Sequence, residues 1–142
     1  MSGRRAIVLV DHGSRRPEAE AQLEELAARV AARLPDRVVR IAHLELVPPT
    51  LGDGIDACVA AGASEIVVHP FLLAPGRHAL EDIPRLVAEA ARRHPDVTVR
   101  VSEPLGLHEK LVDVVLERIE ATRGGAAPRG ASGHGSSSDS SG

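Results

Sequence analysis

The chain has 142 residues and a formal charge of −3 at pH 7, and 43% of it is hydrophobic, enough for one domain with a core built from Val, Leu, Ile and Ala. With one Phe, no Tyr, no Trp and no basic excess, it lacks both the stacking surfaces and the positive field of a nucleic-acid binder. The single cysteine, Cys58, excludes an intrachain disulfide and cannot alone hold an iron–sulfur cluster; no apolar run reaches the roughly 20 residues of a bilayer span, and no signal-peptide pattern precedes Arg5, so a cytoplasmic protein without membrane contact is expected.

Ala6 to Val10 is a short continuous apolar run, the pattern of a strand buried on both faces. It opens into Asp11-His12-Gly13-Ser14-Arg15-Arg16. From Pro17 to Leu34 the residues Ala19, Leu23, Leu26, Ala27, Val30 and Leu34 recur at helical spacing, and Pro35 ends the run. Val38 to Leu46 reads as the second strand. Thr50 and Asp53 form a capping-box pattern for a helix through Leu51, Ile55, Cys58 and Val59, with Gly62 placed to stop it.

Ile66 to Val68 reads as the third strand, followed by a long loop with Pro70, Pro75, Gly76, Arg77 and His78 before a helix starting near Pro84. That helix carries Ile83, Leu86, Val87, Ala90 and Ala91 and stops at His94-Pro95. Val97, Val99 and Val101 alternate as an edge strand, and Leu111, Val112, Val115, Leu116 and Ile119 mark a last helix. The order βαβαβαβα predicts an α/β fold: a single four-stranded parallel sheet with helices on both faces. The domain is expected over residues 1–123. Residues 124–142, rich in Gly and Ser, are expected to be a disordered tail.

In such a sheet functional loops leave the carboxyl ends of the strands, where the connections diverge to opposite faces. With strand order 2-1-3-4, His12 and His78 flank one cleft and Glu45 lies on its rim beside His12. Arg15, Arg16 and Arg77 supply local positive charge for an anionic ligand with several carboxylates. Two imidazoles and a carboxylate suit a divalent first-row metal with vacant positions, or proton removal near neutral pH, and the spacing leaves both open. No HExxH, CxxC, Walker or Gly-x-Ser-x-Gly pattern is present.

Of the other histidines, His69 reads as structural, His43 as a partly buried packing residue, His94 as a partner for a helix C-terminus, and His108 and His134 as surface residues. Cys58 reads as a small core residue and Glu103 as an exposed carboxylate.

Asp-His-Gly-Ser-Arg-Arg at 11–16, Ala-His-Leu-Glu-Leu at 42–46 and Pro-Phe-Leu-Leu-Ala-Pro-Gly-Arg-His-Ala-Leu-Glu-Asp-Ile-Pro at 70–84 resemble the small sirohydrochlorin chelatases of the CbiX/SirB family, and most of all the plant-type ferrochelatases. The resemblance implies half of a class II chelatase fold and insertion of iron or cobalt, with nickel also open, into sirohydrochlorin, in siroheme or cobalamin biosynthesis. By position, the family's two metal-binding histidines fall on His12 and His78, and Glu45 matches an acidic position of the second strand, giving His12, His78 and Glu45 as catalytic candidates. Ser14, Arg15, Arg16 and Arg77 become substrate-binding candidates, with Phe71, Leu72 and Leu73 as an apolar wall for the flat ring. Plant-type members carry C-terminal cysteines associated with an iron–sulfur cluster; this sequence has none there, and no cluster is expected. Members with two such domains in tandem form the pocket between halves, which makes a homodimer the expectation here. A rival reading from another class is a divalent-metal carrier or store that uses the same histidines without a reaction.

Overall fold

A computed structural model describes residues 3–123; the expected tail at 124–142 and His134 lie outside them. Four strands and four helices alternate: β1 (Arg4–Asp11), α1 (Pro17–Arg33), β2 (Arg37–His43), α2 (Leu51–Ala60), β3 (Ala63–Pro70), α3 (Arg77–Arg92), β4 (Thr98–Val101) and α4 (Glu109–Ala121). All strand pairs are parallel and the order is β2-β1-β3-β4, so the chain reverses its direction of travel across the sheet between β1 and β3. That reversal is where a ligand crevice forms in open α/β sheets. β4 pairs with β3 alone and is an edge, as its alternating valines imply.

The chain divides into a unit Met1–Leu107, which carries the sheet and α1–α3, and a second unit beginning at His108, which carries α4. Within the first unit, successive residues of β1 serve opposite faces. Ile7 and Leu9 pack with Leu23 and Ala27 of α1, while Ala6, Val8 and Val10 pack with Ile55 and Cys58 of α2 and Ile83 and Val87 of α3. Gly54 lets α2 settle on this second face, since a Cβ there would meet Ala42 Cβ and Val8 Cγ1 at 3.1 Å. Thr50 and Asp53 close the capping box read from the sequence, with Asp53 N–H donating to Thr50 Oγ1 (3.1 Å) and Thr50 N–H to Asp53 Oδ2 (3.0 Å). Cys58 is fully buried, and burial pushes its thiol up to about 11, leaving an inert core side chain.

Two boundaries differ from the sequence reading in ways that move site residues. β2 ends at His43, not Leu46, because Leu46 takes φ 74° and Pro48 and Pro49 have no N–H to donate; Glu45 therefore sits on the loop after the strand. α3 begins at Arg77 rather than near Pro84, so Arg77 and His78 occupy its first turn instead of a loop. Ala79 extends the buried stripe Ile83, Val87, Ala90 back by one turn and holds that early segment on the core, while Pro84 sits on the exposed side. His108 caps the start of α4, its Nδ1 accepting from the Lys110 N–H at 3.0 Å.

Candidate functional site

The carboxyl ends of β1, β2 and β3 are laced together by backbone hydrogen bonds that fix their exit loops. Leu44 N–H donates to Asp11 O (2.9 Å), Glu45 N–H to His12 O (3.0 Å), and Phe71 N–H to Val10 O (2.7 Å). The β2 loop thus continues the sheet's hydrogen-bond rail for two residues beyond the strand, which brings the backbones of His12 and Glu45 side by side. Gly13 makes this possible: its φ is +97°, and a Cβ at its position would lie 2.0 Å from the Glu45 carbonyl oxygen.

After Gly13 the chain turns into α1 through Ser14, whose Oγ accepts from the Arg16 N–H at 3.1 Å. Pro17 at the first helical position and Glu18 and Glu20 in the first turn suit the start of a helix. Arg15 and Arg16 are left exposed just before it, without a carboxylate partner among the described residues.

Between the β1 and β3 exits opens a cleft of about 410 Å³, lined on one side by Asp11, His12, Gly13 and Ser14 and on the other by Phe71, Leu72, Leu73 and Ala74. One wall carries donors and a carboxylate. The other is apolar, and Leu73 on it is 63% exposed. His12 is exposed at the polar wall, and His78 and Arg77 are exposed on the first turn of α3, where Arg77 Nε lies 3.7 Å from Glu81 Oε1. The structure therefore brings His12 and Ser14 together in the cleft and ties Glu45 to His12 through the backbone. It leaves His78, Arg77, Arg15, Arg16 and the Glu45 side chain outside the residues that line the cleft. Among the described residues no group of three or more His, Cys, Asp or Glu side chains is close enough to hold a metal ion.

Beneath the cleft lies a pair that the sequence reading did not join. Asp11 and His43 are register partners at the ends of β1 and β2, and His43 Nδ1 is 2.6 Å from Asp11 Oδ1. His43 is 1% exposed, the one buried polar or charged residue of the described core, not the partly buried packing residue expected. The pair depends on β1 running to Asp11 and β2 stopping at His43, whereas the sequence reading ended these strands at Val10 and Leu46.

His69 hydrogen-bonds through Nδ1 to Ser102 Oγ (2.8 Å), whose hydroxyl donates to Glu103 O (3.0 Å), so the ring must be the donor. Burial pulls the His69 pKa down from 6.5, partly opposed by the Glu103 backbone. His94 reaches across to α2, where its Nε2 lies 2.7 Å from Asp56 Oδ1 and Arg93 Nη2 contacts both Asp56 oxygens. Burial raises the Asp56 carboxyl, but the hydrogen bonds from His94 and Arg93 and their charges outweigh it and bring the pKa below 3.8. A larger hollow of about 490 Å³ lies beside this group between α2 and α3, yet none of the candidate histidines, arginines or Glu45 lines it and its Asp56 is already engaged.

The CbiX family model matches residues 6–122. The chain is 43% identical over 114 residues to the chloroplastic sirohydrochlorin ferrochelatase of Arabidopsis thaliana, covering 80% of this chain and 51% of that protein. To the sirohydrochlorin cobaltochelatase of Methanococcoides burtonii it is 32% identical over 126 residues, covering 83% of this chain and 96% of that one. The crystal structure of the sirohydrochlorin chelatase SirB from Bacillus subtilis subspecies spizizenii in complex with cobalt matches with a TM-score of 0.76 and 36% identity, over 83% of this chain and 50% of that chain. The chain thus spans about half the length of the Arabidopsis and Bacillus proteins and nearly all of the archaeal one.

Proposed function

The chain belongs to the CbiX family, and from that premise we propose that it inserts a divalent metal, iron or cobalt, into sirohydrochlorin. The observation that carries the proposal is the cleft at the β1/β3 switch point, with His12 and Ser14 on one wall and the apolar Phe71 to Ala74 segment on the other. A flat tetrapyrrole lies against the apolar wall, and Arg15, Arg16 and Arg77 at the carboxyl edge of the sheet bind its peripheral carboxylates. His12 and His78 hold the incoming metal, which exchanges water and imidazole for ring nitrogens as two pyrrole N–H protons leave. Glu45, carried beside His12 by the shared backbone hydrogen bond, is placed to accept one of them.

The relatives named as sirohydrochlorin ferrochelatase and cobaltochelatase support both metals. The proposal includes a homodimer, in which a second copy supplies the other half of a pocket that longer relatives carry in one chain, and a reducing, cytoplasmic setting in keeping with one buried thiol. No helix of the described residues is long and apolar enough to cross a membrane.

The test is the absorption spectrum of sirohydrochlorin mixed with Co²⁺ or Fe²⁺. The protein should accelerate the spectral change of metal insertion with at least one of them. A protein that binds the metal yet leaves the insertion rate unchanged is a carrier or store, and the enzymatic reading falls.

A further inference from the structure

We propose that Asp11 is a further functional residue of the cleft, drawing the divalent cation toward His12, and that buried His43 is the positioning residue that holds its carboxylate there. Three observations lead to this. Asp11 lines the cleft next to His12, with its side chain 21% exposed, so it faces the space the cation must enter. Its Oδ1 receives a hydrogen bond of 2.6 Å from His43 Nδ1, which fixes the rotation of the carboxylate without covering it. His43 is 1% exposed, its Nε2 has no hydrogen-bond partner among the described residues, and the nearest carboxylate, Glu20 Oε1, is 3.9 Å away.

An imidazole buried with half of its hydrogen-bonding capacity unused costs stability, and an apolar residue would fill the same space without that cost. What the imidazole supplies in return is its single bond to Asp11. The geometry reproduces, with the roles exchanged, the carboxylate–imidazole pairs that orient groups near metal ions. Asp11 carries the one carboxylate among the residues that line the cleft, while Arg15 and Arg16, next in sequence on the rim, suit a polyanionic ring and repel a cation. Asp11 offsets that repulsion at the one place where a cation is wanted, and its lone contact to His43 leaves its second oxygen uncommitted among the described side chains.

The inference rests on the chelatase reading only for the fate of the cation, and its test uses Co²⁺ alone. Binding of Co²⁺ to the full chain is measured by calorimetry for the wild type, Asp11→Asn, His43→Leu and His43→Asn, with the melting temperature of each. Asn places an N–H donor where His43 Nδ1 lies and Leu does not. Asp11→Asn and His43→Leu are expected to weaken Co²⁺ binding roughly 10- to 100-fold, and His43→Asn to retain most of it. Wild-type affinity in Asp11→Asn overturns the proposal outright. An equal loss in His43→Asn and His43→Leu overturns the positioning role of His43. If His43→Leu does not fold, Asp11→Asn and His43→Asn decide. Wild-type protein that binds Co²⁺ but never metallates sirohydrochlorin sinks the enzymatic reading and leaves this one standing, whereas active enzyme with unaltered Asp11→Asn binding does the reverse.

Discussion

His12 and His78 are both exposed, one on a loop and one on a first helical turn, and neither side chain contributes to the buried clusters of the sheet. Replacing either by Ala should therefore change stability by about 0.5 kcal/mol or less while severely lowering metal insertion. Insertion kinetics beside melting curves check this, and near-normal rates in either variant would remove that histidine from the site. Gly13 is the opposite case: it touches no substrate by necessity, yet Gly13→Ala must leave φ +97° or collide with the Glu45 carbonyl. Strain of this kind costs on the order of 1–3 kcal/mol before the collision is counted, so denaturant unfolding should show a clear loss of stability, and an unchanged midpoint would mean that the two exit loops are not joined as described. His69 gives a pH signature. Its ring is neutral in both states above 6.5, and because burial holds its folded pKa below that value, the unfolded chain takes up the proton first as pH falls. Stability should decline below pH 6.5 until the folded pKa is passed. His69→Asn, which can keep a donor to Ser102, should flatten that decline, and parallel curves for the two proteins would show that His69 is not its source.

At the scale of elements, the eight segments were legible because buried parallel strands and amphipathic helices repeat with different periods, and the runs Ala6 to Val10 and Leu23 to Val30 leave little choice; the order 2-1-3-4 entered as a condition and not from the pattern. What escaped were places where backbone chemistry overrides side-chain pattern. Val38 to Leu46 is apolar enough to continue as a strand, but a positive φ at Leu46 and two prolines end the ladder at His43. Pro84 reads as a helix start because proline is favoured at the first helical position, and a single alanine, Ala79, is too weak a signal to announce the turn before it. The Asp11–His43 pair needed the register of two strands far apart in sequence, which periodicity does not supply. The two readings of α3 differ in the sign of one measurement. With the helix starting at Arg77, Pro84 is interior, its missing N–H leaves the Leu80 carbonyl without its helical partner, and Pro84→Ala should stabilise by up to roughly 3 kcal/mol. Were Pro84 at the first helical position, the same change would be neutral or destabilising. A lower melting temperature for Pro84→Ala would return His78 to a loop and weaken its placement on a rigid turn.

At the scale of the molecule, the cleft is open and has few walls, while the part of the Bacillus chelatase that this chain matches is half of that chain and the part of the Methanococcoides cobaltochelatase is nearly all of it. A family that occurs at both lengths is explained if two short chains do together what one long chain does alone, and a two-fold isologous contact is the commonest way for identical chains to meet. Light scattering on active protein should therefore give twice the mass of the chain; a monomer mass at full activity would exclude the dimer. Mixing inactive variants then asks whether one site draws histidines from both copies. His12 and His78 follow β1 and β3, neighbours in one sheet, so each site should take both from the same chain. Equilibrating His12→Ala with His78→Ala protein under conditions where subunits exchange should consequently restore no insertion activity. In a site shared across the two-fold axis, each mixed dimer would regain one intact pair, and recovered activity would move His12 and His78 of a single site onto different copies.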